Sequence, residues 1–138
     1  MSLTYDEAKD DMLTLLKNVW DPTTFKMFYE AKRDDRDTSQ NAWAMVLIRH
    51  ASGGQKTLGG VGSRTFERVG AIIVTINTPS TSGLSQGYQL AKLVADAYEG
   101  ISSPNGVWFR EVRINESGRE GTFNQFNVII DFSYDEIK

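Results

Sequence analysis

The stretch near the C-terminus constrains the fold most. Phe126, Val128, Ile130, Phe132 and Tyr134 fall on every second residue, with Gln125, Asn127 and Asp131 between them and Ile129 as the one exception. Successive side chains on a strand point to opposite faces, so this pattern is a strand over residues 123–134 with one face turned to a core. Residues 70–78 repeat the pattern: Ile72, Val74 and Ile76 point one way, Ala71, Ile73 and Thr75 the other. A sheet with one apolar face needs a second layer, and two helical stripes supply it. In the first, Tyr5, Ala8, Met12, Leu15, Leu16 and Val19 recur at helical spacing. Thr4 and Glu7 form a capping-box pair before this stripe, and Asp21-Pro22 ends it. In the second, over residues 84–99, Gly87, Leu90, Ala91, Val94, Ala97 and Tyr98 form a stripe of small and large residues that lets a helix lie close on a sheet. Gly100 is placed to stop it.

The remaining elements are shorter or less regular. Residues 23–31 are aromatic and β-prone and read as a strand. Residues 32–40 are almost all polar and read as a solvated loop. A calcium loop starting at Asp35 would need Gly at its sixth position and Glu at its twelfth, where Gln40 and Val46 stand. Residues 42–51 are a strand apolar on both faces, as for a strand covered on both sides or lying at a subunit contact. Residues 107–115 alternate Trp108, Arg110, Val112 and Ile114, and 116–121 read as a hairpin loop. The expected fold is therefore one α+β domain spanning 1–138 in the order α-β-β-β-α-β-β. Its sheet is mostly antiparallel, with four or five strands and two helices on one face.

Residues 52–68 form the most unusual segment. They hold five glycines and the charges Lys56, Arg64, Glu67 and Arg68. A connection so much longer than the usual ~4–6 residues is functional or mobile. Leu58 and Phe66 stand in it as apolar residues among polar ones. The segment is therefore expected to be a basic loop, poorly ordered in a free subunit, whose Lys56, Leu58, Arg64, Phe66 and Arg68 order on a partner.

No chemistry of catalysis or metal binding is legible. The chain has no Cys and a single His, His50, which excludes thiolate metal sites, disulfides and multi-His sites. Lys56-Thr57 follows Gln55 rather than Gly, so no phosphate loop is present, and the Gly60-Val61-Gly62 start of a dinucleotide fingerprint meets Thr65 at its sixth position. No Ser sits in a Gly-x-Ser-x-Gly elbow. Asp10-Asp11 and Asp34-Asp35 are read as solvated, and His50 as a structural residue. No catalytic residue, metal site or cofactor is expected. A net charge of −3 is not the footprint of a nucleic-acid binder. No run of ~18 apolar residues exists to cross a bilayer. The acidic start lacks the basic and apolar regions of a signal peptide, so a cytoplasmic origin is expected.

Taken in order, four segments carry a resemblance. They are Trp43-Ala-Met-Val-Leu-Ile-Arg49, Thr57-Leu-Gly-Gly-Val-Gly-Ser-Arg-Thr-Phe66, Arg68-Val-Gly-Ala-Ile-Ile-Val-Thr-Ile-Asn-Thr-Pro79 with its Ser-Gly-Leu turn, and Asn127-Val-Ile-Ile-Asp-Phe-Ser-Tyr134. Behind the acidic N-terminal helix, they resemble the tail terminator proteins of long, non-contractile-tailed, lambda-like phages and prophages, from about Thr4 to Glu136. The resemblance implies a structural virion protein, made in the host cytoplasm, that assembles as a six-membered ring. Such a ring caps the tail tube, stops its polymerisation and offers the head a joining surface. Its implied partners are itself, the tail tube protein and a head-completion or connector protein, and DNA passes through without sequence-specific binding. Segments 53–68 and 70–78 would make ring or tube contacts. Three alternatives remain open: another connector or minor tail protein of similar fold, a small-molecule or peptide-binding module, and, last, an enzyme.

Overall fold

The structure is a computed structural model that describes residues 3–23, 25–29, 42–79, 84–120 and 123–138. The polar segment 32–40 lies outside them. Among the described residues, helix α1 spans Tyr5–Trp20 and runs into a 3-10 turn at Asp21–Thr23. Strands β1 (Lys26–Phe28), β2 (Trp43–Gln55) and β3 (Thr65–Pro79) precede helix α2 (Ser85–Tyr98), and β4 (Trp108–Glu120) and β5 (Phe123–Ile137) follow. The five strands form one sheet in the order β1-β2-β3-β5-β4. Only β1 and β2 pair in parallel; the other neighbours are antiparallel. This is the expected α+β fold.

Local signals set the helix ends. Thr4 and Glu7 complete their capping box, with Glu7 N donating to Thr4 Oγ1 at 3.2 Å and Thr4 N to Glu7 Oε1 at 3.0 Å. Gly100 takes φ 73°, the left-handed turn that ends α2. The buried face of α1 is Ala8, Met12, Leu13, Leu16 and Trp20. Leu15 and Val19 lie at its margin, so the apolar stripe is rotated towards Leu13 and Trp20.

α2 lies against β3, β4 and β5, and α1 lies against α2. Both helices share one core cluster with Ala44, Val46, Ile72, Val74, Ile76, Phe126, Val128, Ile130, Phe132 and Tyr134. Leu90, Ala91, Val94 and Tyr98 face that sheet, as the stripe on α2 requires. Gly87 explains the close approach. A Cβ there would run into the ring of Phe126, so any side chain would push α2 off β5. Tyr98 ties the layers together by donating its buried hydroxyl to Met12 O at 2.7 Å.

Four expectations change. The segment 52–68 is not one open loop: β2 and β3 stay paired through Ser52↔Val69, Gly53↔Arg68, Gly54↔Glu67 and Gln55↔Phe66. Only 56–64 is a turn. The β3 side of this hairpin is backed by β5, from Arg68↔Tyr134 to Thr65↔Ile137, which offsets the entropy that the glycines lose on ordering. Second, 116–120 continues β4 through a bulge between Glu116 and Gly118, where Gly118 takes φ 83°. Third, a bulge between Phe109 and Glu111 flips the start of β4. Phe109 packs against the core there, whereas Trp108 stands 66% exposed. Fourth, of the strand expected at 23–31, the described residues place Thr23 in the 3-10 turn and Lys26–Phe28 in β1.

Candidate assembly surface

The hairpin of β2 and β3 forms an arm whose root is built from charge and aromatic rings. Arg68 is its centre. Its Nε and Nη2 donate to Glu136 Oε1 at 3.2 and 2.9 Å, and its Nη1 donates to Gly53 O at 2.8 Å. Gly53 has no side chain to block this, since a Cβ there would meet the guanidinium. The same guanidinium lies 5.2 Å from the Phe66 ring centroid and 5.5 Å from that of Tyr5. Arg64 and Lys138 also lie over Phe66, at 5.9 and 5.4 Å. Phe66 thus gathers three cations by the attraction of its ring face.

The expected contact residues therefore separate. Arg68 is buried, 7% exposed, and holds the arm to β5, so it is unavailable as a partner-facing residue. Phe66 and Arg64 are half-buried at the root. Lys56 is exposed and forms loose ion pairs with Asp135 at 3.5 Å and Glu67 at 3.9 Å, of the screened surface kind. Leu58 alone of the five is fully free, at 98% exposure, and Val61, which the residue pattern did not single out, joins it at 89%. The turn that carries them is held by Lys56 N donating to Thr65 O at 2.7 Å, by Thr65 N donating to Thr57 Oγ1 at 2.9 Å, and by Gly62 at φ 94°.

His50 supports the arm from inside. Its ring stacks on Tyr5, with centroids 4.2 Å apart, and its Nε2 lies 2.6 Å from the Tyr134 hydroxyl. Burial, with the Arg68 charge adding to it, holds His50 below its usual pKa. Burial also raises the Tyr134 hydroxyl well above the usual tyrosine range. The folded chain thus keeps His50 neutral at a pH where the unfolded chain protonates it. The stabilisation is present above about pH 6.5 and is lost as pH falls through the lower folded value. The melting-temperature gap between the natural chain and His50→Gln should narrow from about pH 7.5 to pH 5. A gap that stays constant contradicts the assignment.

The second surface is the face of the sheet away from both helices. Across it runs a register row of Leu47, Ile73 and Ile129, ending at Arg113. Polar rows flank it. Thr75 Oγ1 lies 2.9 Å from Asn127 Oδ1, and Arg113 Nη1 donates to Asp131 Oδ2 at 3.0 Å. Leu47, Ile73 and Ile129 are only half-buried, because both helices pack on the opposite side. The two-sided apolar character of β2 is thus a core face, through Ala44 and Val46, and a second face, through Met45 and Leu47, that neither helix covers.

Of the expected solvated acids, Asp10 stays exposed, 3.6 Å from Lys9, and Asp11 takes another role. Asp11 accepts from Ser103 Oγ at 2.6 Å, Asn105 Nδ2 at 2.7 Å and Asn105 N at 3.2 Å, so it anchors the turn before β4 rather than standing solvated. Asp34 and Asp35 lie outside the described residues. Among the described residues, no three His, Asp or Glu gather to hold a metal ion, and no helix is long and apolar enough to cross a membrane.

No protein-family model matches the chain, and no curated protein does. Among solved structures, one with no descriptive name resembles it with a TM-score of 0.58. That likeness covers 94% of this chain and 95% of the other at 11% identity. A likeness at that identity is one of fold alone.

Proposed function

We propose that the chain is a structural subunit that assembles as a six-membered ring on the end of a phage tail tube, ends its growth and presents a head-joining surface. The observation that carries this reading is the pairing of an anchored arm with a free apolar tip and a sheet face left uncovered by both helices. Soluble monomers rarely expose contiguous apolar surface without a partner for it. The tip Leu58 and Val61 is such a surface, and the half-buried row Leu47, Ile73 and Ile129 is an apolar stripe on the face that neither helix covers. The net charge of −3 per copy adds to this, because an acidic ring does not grip the DNA that passes through it. The family resemblance supplies the tail and the number six.

The test is tube growth. Purified chain added to a polymerising tube protein of the same phage should halt elongation, giving short tubes with a cap at one end. The double variant Leu58→Ser, Val61→Ser keeps the arm root and should fold normally, yet leave tubes uncapped and long. Tubes of unchanged length with the natural chain present overturn the reading.

A further inference from the structure

The arm tip has no counterpart near it, yet the opposite end of the same subunit carries a groove of matching character. Leu84 and Tyr88 at the start of α2, Phe126 on β5 and Glu116 and Gly118 on β4 line a groove of about 330 Å³. Leu84 is 54% and Tyr88 43% exposed, and the Tyr88 ring packs edge-on to Phe126 at 5.1 Å. The groove's polar end is the exposed Glu116 carboxylate, which accepts a hydrogen bond from Tyr88 and thereby raises the Tyr88 pKa. The tip offers the complement. Leu58 and Val61 are the two most exposed large apolar side chains among the described residues, no charge stands between Thr57 and Ser63, and Lys56 and Arg64 flank the turn.

Gly60 adds an independent observation. Its φ is not left-handed, and a Cβ there would meet nothing within 4 Å. Nothing in the free subunit requires glycine at this position. A bare backbone at an exposed tip suits close approach by another chain.

The two features cannot meet within one copy. The turn adjoins Thr65, whereas Phe126 pairs with Ile76 at the far end of β3. At the rise of an extended strand they lie roughly 35 Å apart. We infer that the 56–64 turn of one copy docks into the Leu84–Tyr88–Phe126 groove of the next. Leu58 and Val61 enter the groove, and the cations beside the turn face Glu116. Such a contact joins two different patches, so it propagates head to tail and closes into a ring when its rotation allows. This inference rests on the ring reading and gives that ring its lateral contact.

The absence of cysteine makes the test clean. The double variant Val61→Cys, Leu84→Cys should, on mild oxidation, yield a ladder of covalent multimers up to six copies on a non-reducing gel. Each single variant should stop at dimers. A double variant with nothing above dimer overturns the docking. If rings are nevertheless seen by electron microscopy, the proposed function stands without this contact. A ladder from open chains that never close supports the docking and counts against the ring. Gly60→Val provides a second measurement. Its melting temperature should equal that of the natural chain, while self-association weakens at least tenfold. Undiminished association of a folded Gly60→Val protein also overturns the docking.

Discussion

Replacing Phe132 with Ala should cost about 3–5 kcal/mol of folding stability. Phe132 is fully buried on β5, with its ring edge-on to His50 at 5.3 Å and stacked near Tyr134 at 6.0 Å. Its place opposite Gly70 is kept open by the glycine, since a Cβ there would meet the Phe132 ring and the backbone of β2. Truncation leaves a void that these neighbours cannot close, because Gly70 has no side chain to move into it. Denaturant melts measure the loss directly. A cost below about 1 kcal/mol would show that the inner face of β5 is assigned to the wrong side.

Arg68→Ala should cost about 3 kcal/mol, well beyond the effect of a surface charge. It strands the Glu136 carboxylate, 18% exposed at the side chain, without its partner. It also frees Gly53 O and removes the cation between Phe66 and Tyr5. Arg68→Lys should recover only part of the loss, because an ammonium cannot reach Glu136 and Gly53 together with the geometry of a guanidinium. Arg64→Ala, at a half-buried site with a single ring contact, should stay under about 1 kcal/mol. Equal small losses at both positions would mean that the arm root is no more ordered than its tip.

These two residues show where the sequence is legible. The core face of β5, with Phe132 on it, follows from the alternation of five residues, and the helix ends follow from Thr4, Glu7 and Gly100. Each of those signals is complete within a few residues. Arg68 is different. Its burial depends on Glu136, 68 residues away, and on the missing side chain of Gly53. Read locally, a glycine-rich basic stretch is an open loop; backed by β5, both its ends are a strand pair and only 56–64 is a turn. The bulge at Arg110 is equally hidden, because one extra residue is counted only against the partner strand. It moves Trp108 to the surface and Phe109 to the core. A third bulge, between His50 and Ser52, keeps Gly53 facing Arg68. Of the expected contact residues, Leu58 was legible as an apolar residue among glycines. Val61, between two glycines, carried the same signal.

The assembly claim has the most direct test. Purified chain, concentrated to the millimolar range, should show closed rings by negative-stain electron microscopy and a six-copy mass by native mass spectrometry, alone or on tube ends. A protein that remains a single copy throughout, and leaves tube ends bare, would contradict the account.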